Sequence, residues 1–140
     1  MPLLSFRTGK PIILSKTVET ANTPPTPDSL CQHGIDALAS GAAASAARFF
    51  RSAIDLDGEH IEAHHGLIRA LRDCGKLEES IGVALRLTAL TPSDPLAHAA
   101  LSISLQHAGH IPQAEAAATR ARILEWKQQL ASPPTEGNLQ

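Results

Sequence analysis

Small and apolar residues fall into columns that repeat every 34 positions along the middle of the chain. Three glycines, Gly41, Gly75 and Gly109, have this spacing. Several columns in one register over three units indicate an internal repeat, since a single shared spacing could arise by chance. The other columns are Leu56, Leu90 and Leu124; Ala46, Ser80 and Ala114; Ala53, Leu87 and Ala121; His64 and His98; Leu67 and Leu101; and Leu71 and Leu105.

Each unit is predicted to form two helices joined by a short turn. Pro27 and Pro95 suit the first turn of a helix, and Thr26 and Asp94 before them suit its N-cap. The glycine column falls where a left-handed residue ends a helix. The first helices are predicted over residues 27–40, 60–74 and 95–108, and the second helices over 43–57, 77–90 and 112–130.

The segments on either side of the repeats lack this pattern. Residues 1–26 contain four prolines and are predicted to form an extended N-terminal arm, whereas residues 132–140 are predicted to form a flexible tail. Through residue 18 the only charges of the arm are positive. The arm could fold back on the repeats, order against another protein or a membrane-associated complex, or remain disordered. Its predicted contact residues are Leu3, Leu4, Phe6, Ile12, Ile13 and Leu14.

The 34-residue helix–turn–helix unit resembles the tetratricopeptide repeat (TPR). The resemblance covers residues 27–131, as units 27–60, 61–94 and 95–131. It implies an all-α fold: a right-handed solenoid of three TPR-like hairpins with the arm at one end and a long C-terminal capping helix at the other. The matching positions are the turn glycines, the small residues Ala46, Ser80 and Ala114, the aromatic Phe50, Ala53 and Ala121, and Pro92 closing the second unit.

Several positions depart from the family pattern. The large aromatic of the first helix is replaced by Leu30, His64 and His98. Gly34 matches the glycine of the first helix and is expected to pack against Ala46, whereas the second unit has Ile68 there, opposite Ser80. In the last helix, Ile123, Trp126 and Leu130 are predicted to continue the apolar stripe and cap the open end. Trp126 is expected at the edge of the core, and a contact with a partner is the alternative.

Charge and composition exclude several functions. Twelve Lys and Arg against 14 Asp and Glu give a net charge of −2, which argues against binding to nucleic acid. Two cysteines without a CxxC pair cannot form a disulfide framework. No stretch approaches the ~20 apolar residues of a membrane span. The expectation is therefore a cytoplasmic protein that contacts a membrane only indirectly, through a complex.

Histidine is the one unusual source of chemistry, with seven residues. His60 and His64 are spaced like a metal-binding pair, but no HExxH motif or nearby cysteine completes a site. No catalytic motif, phosphate loop or cofactor signature is present. We therefore expect no metal, no cofactor and no catalytic residues.

In tetratricopeptide arrays the first helix of each unit lines the concave face. The resemblance thus implies a groove that is apolar at its ends with Arg69 and Arg72 between them, suited to an amphipathic or extended segment carrying an acidic residue. The alternative is that both arginines are simply solvated. The helical block contains no Asn, so the carboxylate clamp of some family members is absent. The predicted groove residues are Ile35, Leu38, His65, Arg69, Arg72, Ile103, Gln106 and His107, with Cys31 and Ala99 in the same strips.

The resulting hypothesis is a non-enzymatic protein–protein interaction module, an adaptor or assembly factor that binds a segment of another protein in this groove. Two alternatives remain open. One is an accessory structural subunit of a larger complex, anchored by the arm. The other is a secretion-type chaperone, since some of those resemble short three-repeat arrays.

Overall fold

The computed structural model describes residues 23–132, and these form six α-helices with no strand among them. Residues 1–22 of the predicted arm, which include all its proposed contacts, and residues 133–140 of the predicted tail lie outside the described residues. Consecutive helices pack against one another, and α3 also contacts α1 and α5. This is the predicted all-α solenoid of three hairpins. The helices are α1 (Pro27–Ala39), α2 (Ala43–Leu56), α3 (Ile61–Asp73), α4 (Leu77–Leu90), α5 (Pro95–His107) and α6 (Ile111–Ala131).

Side-chain caps explain where the first helix of each hairpin begins. Thr26 Oγ1 accepts a hydrogen bond from Ser29 N (3.0 Å), and Ser29 Oγ accepts one from Thr26 N (2.9 Å), so α1 starts with a capping box. Asp94 caps α5 in the same role. His60 is the N-cap of α3, because its Nδ1 accepts a hydrogen bond from Ala63 N (3.1 Å), so that helix begins one residue later than predicted.

The three glycines of the repeat have the predicted left-handed conformation. Gly41, Gly75 and Gly109 have φ of 84°, 78° and 85°, and no other described residue has positive φ. After each glycine, the next backbone N–H bonds back into the preceding helix, as in Lys76 N to Leu71 O at 2.9 Å. The identical turn in all three units makes every hairpin antiparallel.

Phe50 joins the first two hairpins. Its side chain is 0% exposed. A Cβ added to Gly34 of α1 would lie 2.7 Å from the Phe50 ring, and a Cβ on Gly66 of α3 would also clash with this ring. The three atoms nearest to the added Cβ all belong to Phe50, so this ring fills the space beside Gly34, and the predicted packing against Ala46 stays a prediction. Two glycines on neighbouring helices provide the space for one aromatic ring.

A buried hydroxyl pair joins the second and third hairpins. Ser80 Oγ donates to the Ile68 carbonyl at 3.2 Å, so the 2.6 Å contact with Ser104 Oγ has Ser104 as the donor. Both serines are 0% exposed. The small residue predicted opposite Ile68 thus lies at a close contact between helices, and its hydroxyl satisfies polar groups that burial would otherwise leave unpaired.

The last helix is long, as predicted, with 21 residues. Ile123, Trp126 and Leu130 do not extend the core stripe, because they are 40%, 60% and 68% exposed. The buried positions of α6 are Ala114, Ala117, Ala121 and Leu124. Helical residues are about 100° apart, so the predicted stripe lies on the opposite face from these four. The expectation that Trp126 sits at the edge of the core is wrong.

Candidate functional site

A cleft of about 320 Å³ lies between α3 and α5 on the face where α1, α3 and α5 run side by side. It combines one basic wall with one apolar wall. The basic side chains come from α3, and the apolar ones come mainly from α5. The lining residues are His65, Ile68, Arg69, Arg72, Leu96, Ala99, Ala100 and Ile103.

Four of the eight predicted groove residues meet in this cleft. They are His65, Arg69, Arg72 and Ile103. The remaining four lie elsewhere on the predicted face: Ile35 is 36% exposed on α1, Leu38 packs partly buried against the core, and Gln106 and His107 are exposed at the end of α5.

Cys31, predicted in the first strip of the groove, is only 1% exposed and cannot meet a partner. Burial raises the pKa of its thiol to about 11, with Glu62 adding to the rise. The thiol therefore stays neutral at physiological pH and behaves as a small core side chain.

Leu96 was not identified from the sequence, although it is 66% exposed and lines the cleft. The equivalent positions of the first two units are occupied by Asp28 and Glu62, so the repeat predicts a polar surface residue at position 96. The one indication in the sequence was that the third unit has a leucine where the first two units have acidic residues. An exposed leucine on the cleft wall provides apolar surface for a ligand side chain.

The two cleft arginines differ in their partners. Arg69 Nε lies 3.8 Å from Asp73 Oδ2, one turn along α3, and both side chains are largely exposed. Arg72 is partly buried and has no ion pair or hydrogen bond with any residue of 23–132. Burial lowers the pKa of Arg72, while Asp73 opposes this shift. A partly desolvated guanidinium without an anion is unfavourable, and a ligand carboxylate would relieve that cost.

His65 is the titratable group beside them. Burial lowers the pKa of His65, and the nearby His64 lowers it further, whereas Asp94 raises it. The lowered pKa favours the uncharged form of this side chain at neutral pH, so the positive charge of the cleft comes mainly from Arg69 and Arg72.

The histidine pair at positions 60 and 64 serves the fold. Because His60 Nδ1 accepts the capping hydrogen bond, its Nε2 carries the proton and donates to Asp28 Oδ1 at 2.8 Å. His64 is 3% exposed, and its Nδ1 donates to the His60 carbonyl at 2.9 Å. Within residues 23–132, no three His, Cys, Asp or Glu side chains gather as metal ligands. None of the described helices is long and apolar enough to cross a membrane.

Comparison with known proteins identifies the repeats. A sequence profile described as Tetratricopeptide repeat matches residues 37–103. No curated protein sequence matches the chain at a significant level.

Solved structures share the fold at low identity. The chain resembles the second TPR of Spaghetti (RPAP3) bound to the HSP90 peptide SRMEEVD (TM-score 0.66, 18% identity, 71% of this chain and 92% of that chain). It also resembles SycD, the type III secretion translocator chaperone of Yersinia enterocolitica (TM-score 0.67, 19% identity, 76% of this chain and 85% of that chain). A chain of the CopN–Scc3 complex matches with a TM-score of 0.65 and 16% identity. The match covers 70% of this chain but only 58% of the length of that chain.

Proposed function

We propose that this chain, which belongs to the tetratricopeptide repeat family, is a non-enzymatic adaptor or assembly factor that binds a segment of another protein in the cleft between α3 and α5. The observation that carries the proposal is Arg72, a partly buried cation that has no ion pair or hydrogen bond with the described residues, beside an apolar wall. A carboxylate bound there would pair with a guanidinium that folding has already partly desolvated.

The ligand that fits is an extended or amphipathic segment in which an acidic residue is flanked by apolar ones. Arg69 and Arg72 would bind the carboxylate, and Leu96 and Ile103 would contact the apolar neighbours. The volume lies at the lower end of the ~300–1,000 Å³ typical of ligand pockets, which suits a few side chains of a peptide rather than a large cofactor. Ile35, Leu38, Gln106 and His107 would contact the segment on either side of the cleft.

The proposal is tested by selecting peptides from a displayed random library on the full-length protein. Affinities of the selected peptides are then measured by fluorescence anisotropy. We expect selection of peptides with an acidic residue between apolar ones. Arg69→Glu with Arg72→Glu should abolish their binding, because the two side chains project from one face of α3 about one turn apart.

The matched control is Arg48→Glu with Arg86→Glu, which reverses two exposed charges outside the cleft. The control variant should keep the wild-type circular dichroism and melting temperature, since exposed charge reversals usually change stability by under about 0.5 kcal/mol. Because Arg72 is partly buried, the circular dichroism and thermal melt of the cleft variant must also show that it remains folded at the assay temperature. Equal losses in the two variants would point to a nonspecific charge effect. If deletion of residues 1–20 abolishes binding while the cleft reversal has no effect, the arm is the binding element and the cleft proposal is wrong.

A secretion-type chaperone is the second candidate, favoured by the likeness to SycD over 85% of that chain. An accessory structural subunit anchored through Leu3, Leu4, Phe6, Ile12, Ile13 and Leu14 is the third. Size-exclusion chromatography with light scattering distinguishes a stable monomer, expected for an adaptor, from the obligate assembly expected for a subunit. In all three cases we place the protein in the cytoplasm, with membrane contact only through a complex.

A further inference from the structure

The outer face of α6 carries a row of apolar side chains that no residue in 23–132 covers. Ile123, Trp126 and Leu130 are the three large members and are 40%, 60% and 68% exposed. Ala116 and Thr119 precede them on the same face and are also exposed. We call these five residues the outer stripe.

The outer stripe has the spacing of a helix-pairing seam. Its members follow one another at intervals of three, four, three and four residues, the alternation of the two apolar positions in a heptad. The stripe is on the side of α6 turned away from α5. The equivalent positions of α2, Arg48, Arg51 and Asp55, remain exposed although the next hairpin stacks on α2 and Arg51 pairs with Glu79. An amphipathic helix could therefore lie along α6 without disturbing the core.

The narrow shape of the stripe favours a helix over a lipid surface. Charged or amide side chains border it on both sides, so it covers about two positions in seven. Helices that lie in a membrane interface usually present a broader apolar face. Ala116 and Thr119 also allow close approach of a second helix along the first half of the stripe.

The charges bordering the stripe are mainly basic. Arg120 and Lys127 lie on one side, and Glu115, Arg122 and Gln129 lie on the other, all exposed. Within residues 23–132 none of these charged groups has an ion pair, and their one side-chain hydrogen bond runs from Arg122 Nη2 to Thr119 Oγ1 at 3.1 Å. A second copy of α6 in antiparallel orientation would bring Arg120 and Lys127 against like charges. In parallel orientation Lys127 would meet Arg122, and only Arg120 would meet an acidic residue, Glu115. The N-terminal arm, whose only charges through residue 18 are positive, would meet the same repulsion.

We propose that the outer stripe of α6 is a docking site for an amphipathic helix of a partner protein, with apolar residues along its seam and acidic residues on its flanks. The apolar seam buries Ile123, Trp126 and Leu130, and the acidic flanks pair with Arg120 and Lys127. This site is on a different surface from the α3–α5 cleft and does not depend on the function proposed for that cleft.

The test uses two synthetic helical peptides as probes, identical in a Leu and Ile seam, one with Glu and the other with Lys at the flanking positions. The full-length chain contains a single Trp and no Tyr, so its tryptophan emission reports on Trp126 alone. We expect the Glu-flanked peptide to shift the emission to shorter wavelength and to saturate. The Lys-flanked peptide should bind at least about tenfold more weakly, because its flanks repel Arg120 and Lys127.

Variants place the binding on the outer stripe. Anisotropy of the labelled Glu-flanked peptide should show loss of binding to Trp126→Ala and no loss with Leu85→Ala, which removes a 52% exposed leucine from α4. The double variant Arg120→Glu with Lys127→Glu should bind the Lys-flanked peptide more tightly than the Glu-flanked peptide. Equal binding of both peptides to the wild type, or unaltered binding to Trp126→Ala, would overturn the proposal.

Three further outcomes would assign the stripe to another occupant and overturn the proposal. An emission shift with phosphatidylserine-containing vesicles but with neither peptide would identify a membrane surface. Self-association in sedimentation experiments that Trp126→Ala removes would identify a second copy of the chain. Emission already at short wavelength in the free full-length protein would show that the chain itself covers Trp126.

Discussion

Replacing Gly34 with alanine tests how the Phe50 ring packs between the first two hairpins. The added methyl group would lie 2.7 Å from ring carbons Cε1 and Cζ of Phe50. Carbon atoms in good contact are about 3.5–4.0 Å apart, so the ring or α1 must move by roughly 1 Å. Phe50 is 0% exposed, and Gly66 bounds the ring on another helix, so the surroundings leave the ring little room to move.

Two opposing effects determine the free energy change in this variant. Alanine stabilises a helix interior by about 1 kcal/mol relative to glycine. Overpacking of a filled core costs about 1–3 kcal/mol, and the confined ring places Gly34→Ala towards the upper end of that range. We therefore expect a net loss of about 1–2 kcal/mol in the free energy of unfolding.

Urea denaturation followed by circular dichroism measures this change, and Gly82→Ala is its matched control. Gly82 is also inside a helix, but a Cβ there would meet nothing within 4 Å, so the variant should gain about 0.5–1 kcal/mol. Phe50→Leu frees space, so combining it with Gly34→Ala should cost less than the sum of the single changes. Stabilisation by both glycine variants, or strict additivity with Phe50→Leu, would refute the packing described for Gly34.

Three further predictions concern the turns, the buried hydroxyls and the cleft. Gly75→Val should destabilise the protein by about 1–3 kcal/mol, because φ of 78° is strained for a β-branched residue; an unchanged thermal melt would contradict this. Ser80→Ala should cost about 1–2 kcal/mol, because the buried Ser104 hydroxyl and Ile68 carbonyl lose their partner. In urea titrations, the double variant Ser80→Ala with Ser104→Ala should lose less free energy of unfolding than the sum of the two single losses. Full additivity would argue against the hydrogen bond between Ser80 and Ser104. Because burial lowers the pKa of His65 below its ordinary 6.5, its contribution to stability is present above pH 6.5 and is lost as the pH falls. The melting temperature should therefore decline more steeply with acid in the wild type than in His65→Gln, and parallel declines would show that His65 contributes nothing.

The amino-acid sequence by itself determined the repeat, the helices and the turns. These features depend on local chemistry that the order of residues carries directly. A glycine at a helix end supplies the left-handed turn, and Thr26 or Asp94 before a proline supplies the cap, whatever surrounds it. A fixed 34-residue period then requires every hairpin to stack on the next in the same way, so the fold class could be predicted with no tertiary information.

The site could be predicted only in part. The repeat places His65, Arg69 and Arg72 together on one helix, and the family resemblance directs them to the concave face. It does not indicate that Leu96 forms the opposite wall, because the other two units have acidic residues at its position. Nor does it show that Arg72 lacks a partner among the described residues, since ion pairs depend on distances between helices.

Tertiary structure alone decided which apolar faces are covered. The sequence of α6 offers two apolar stripes, one of Ala114, Ala117, Ala121 and Leu124 and the other containing Trp126. Hydrophobicity favours burying the stripe with the larger side chains, yet α5 packs on the stripe of small ones. Small residues let two helices approach closely, and the resulting fit between backbones is a property of both helices together. The repeat columns mark Ala114, Ala121 and Leu124, but they do not exclude burial of the stripe that contains Trp126, and only the packing of α5 on α6 decides that this second stripe stays exposed.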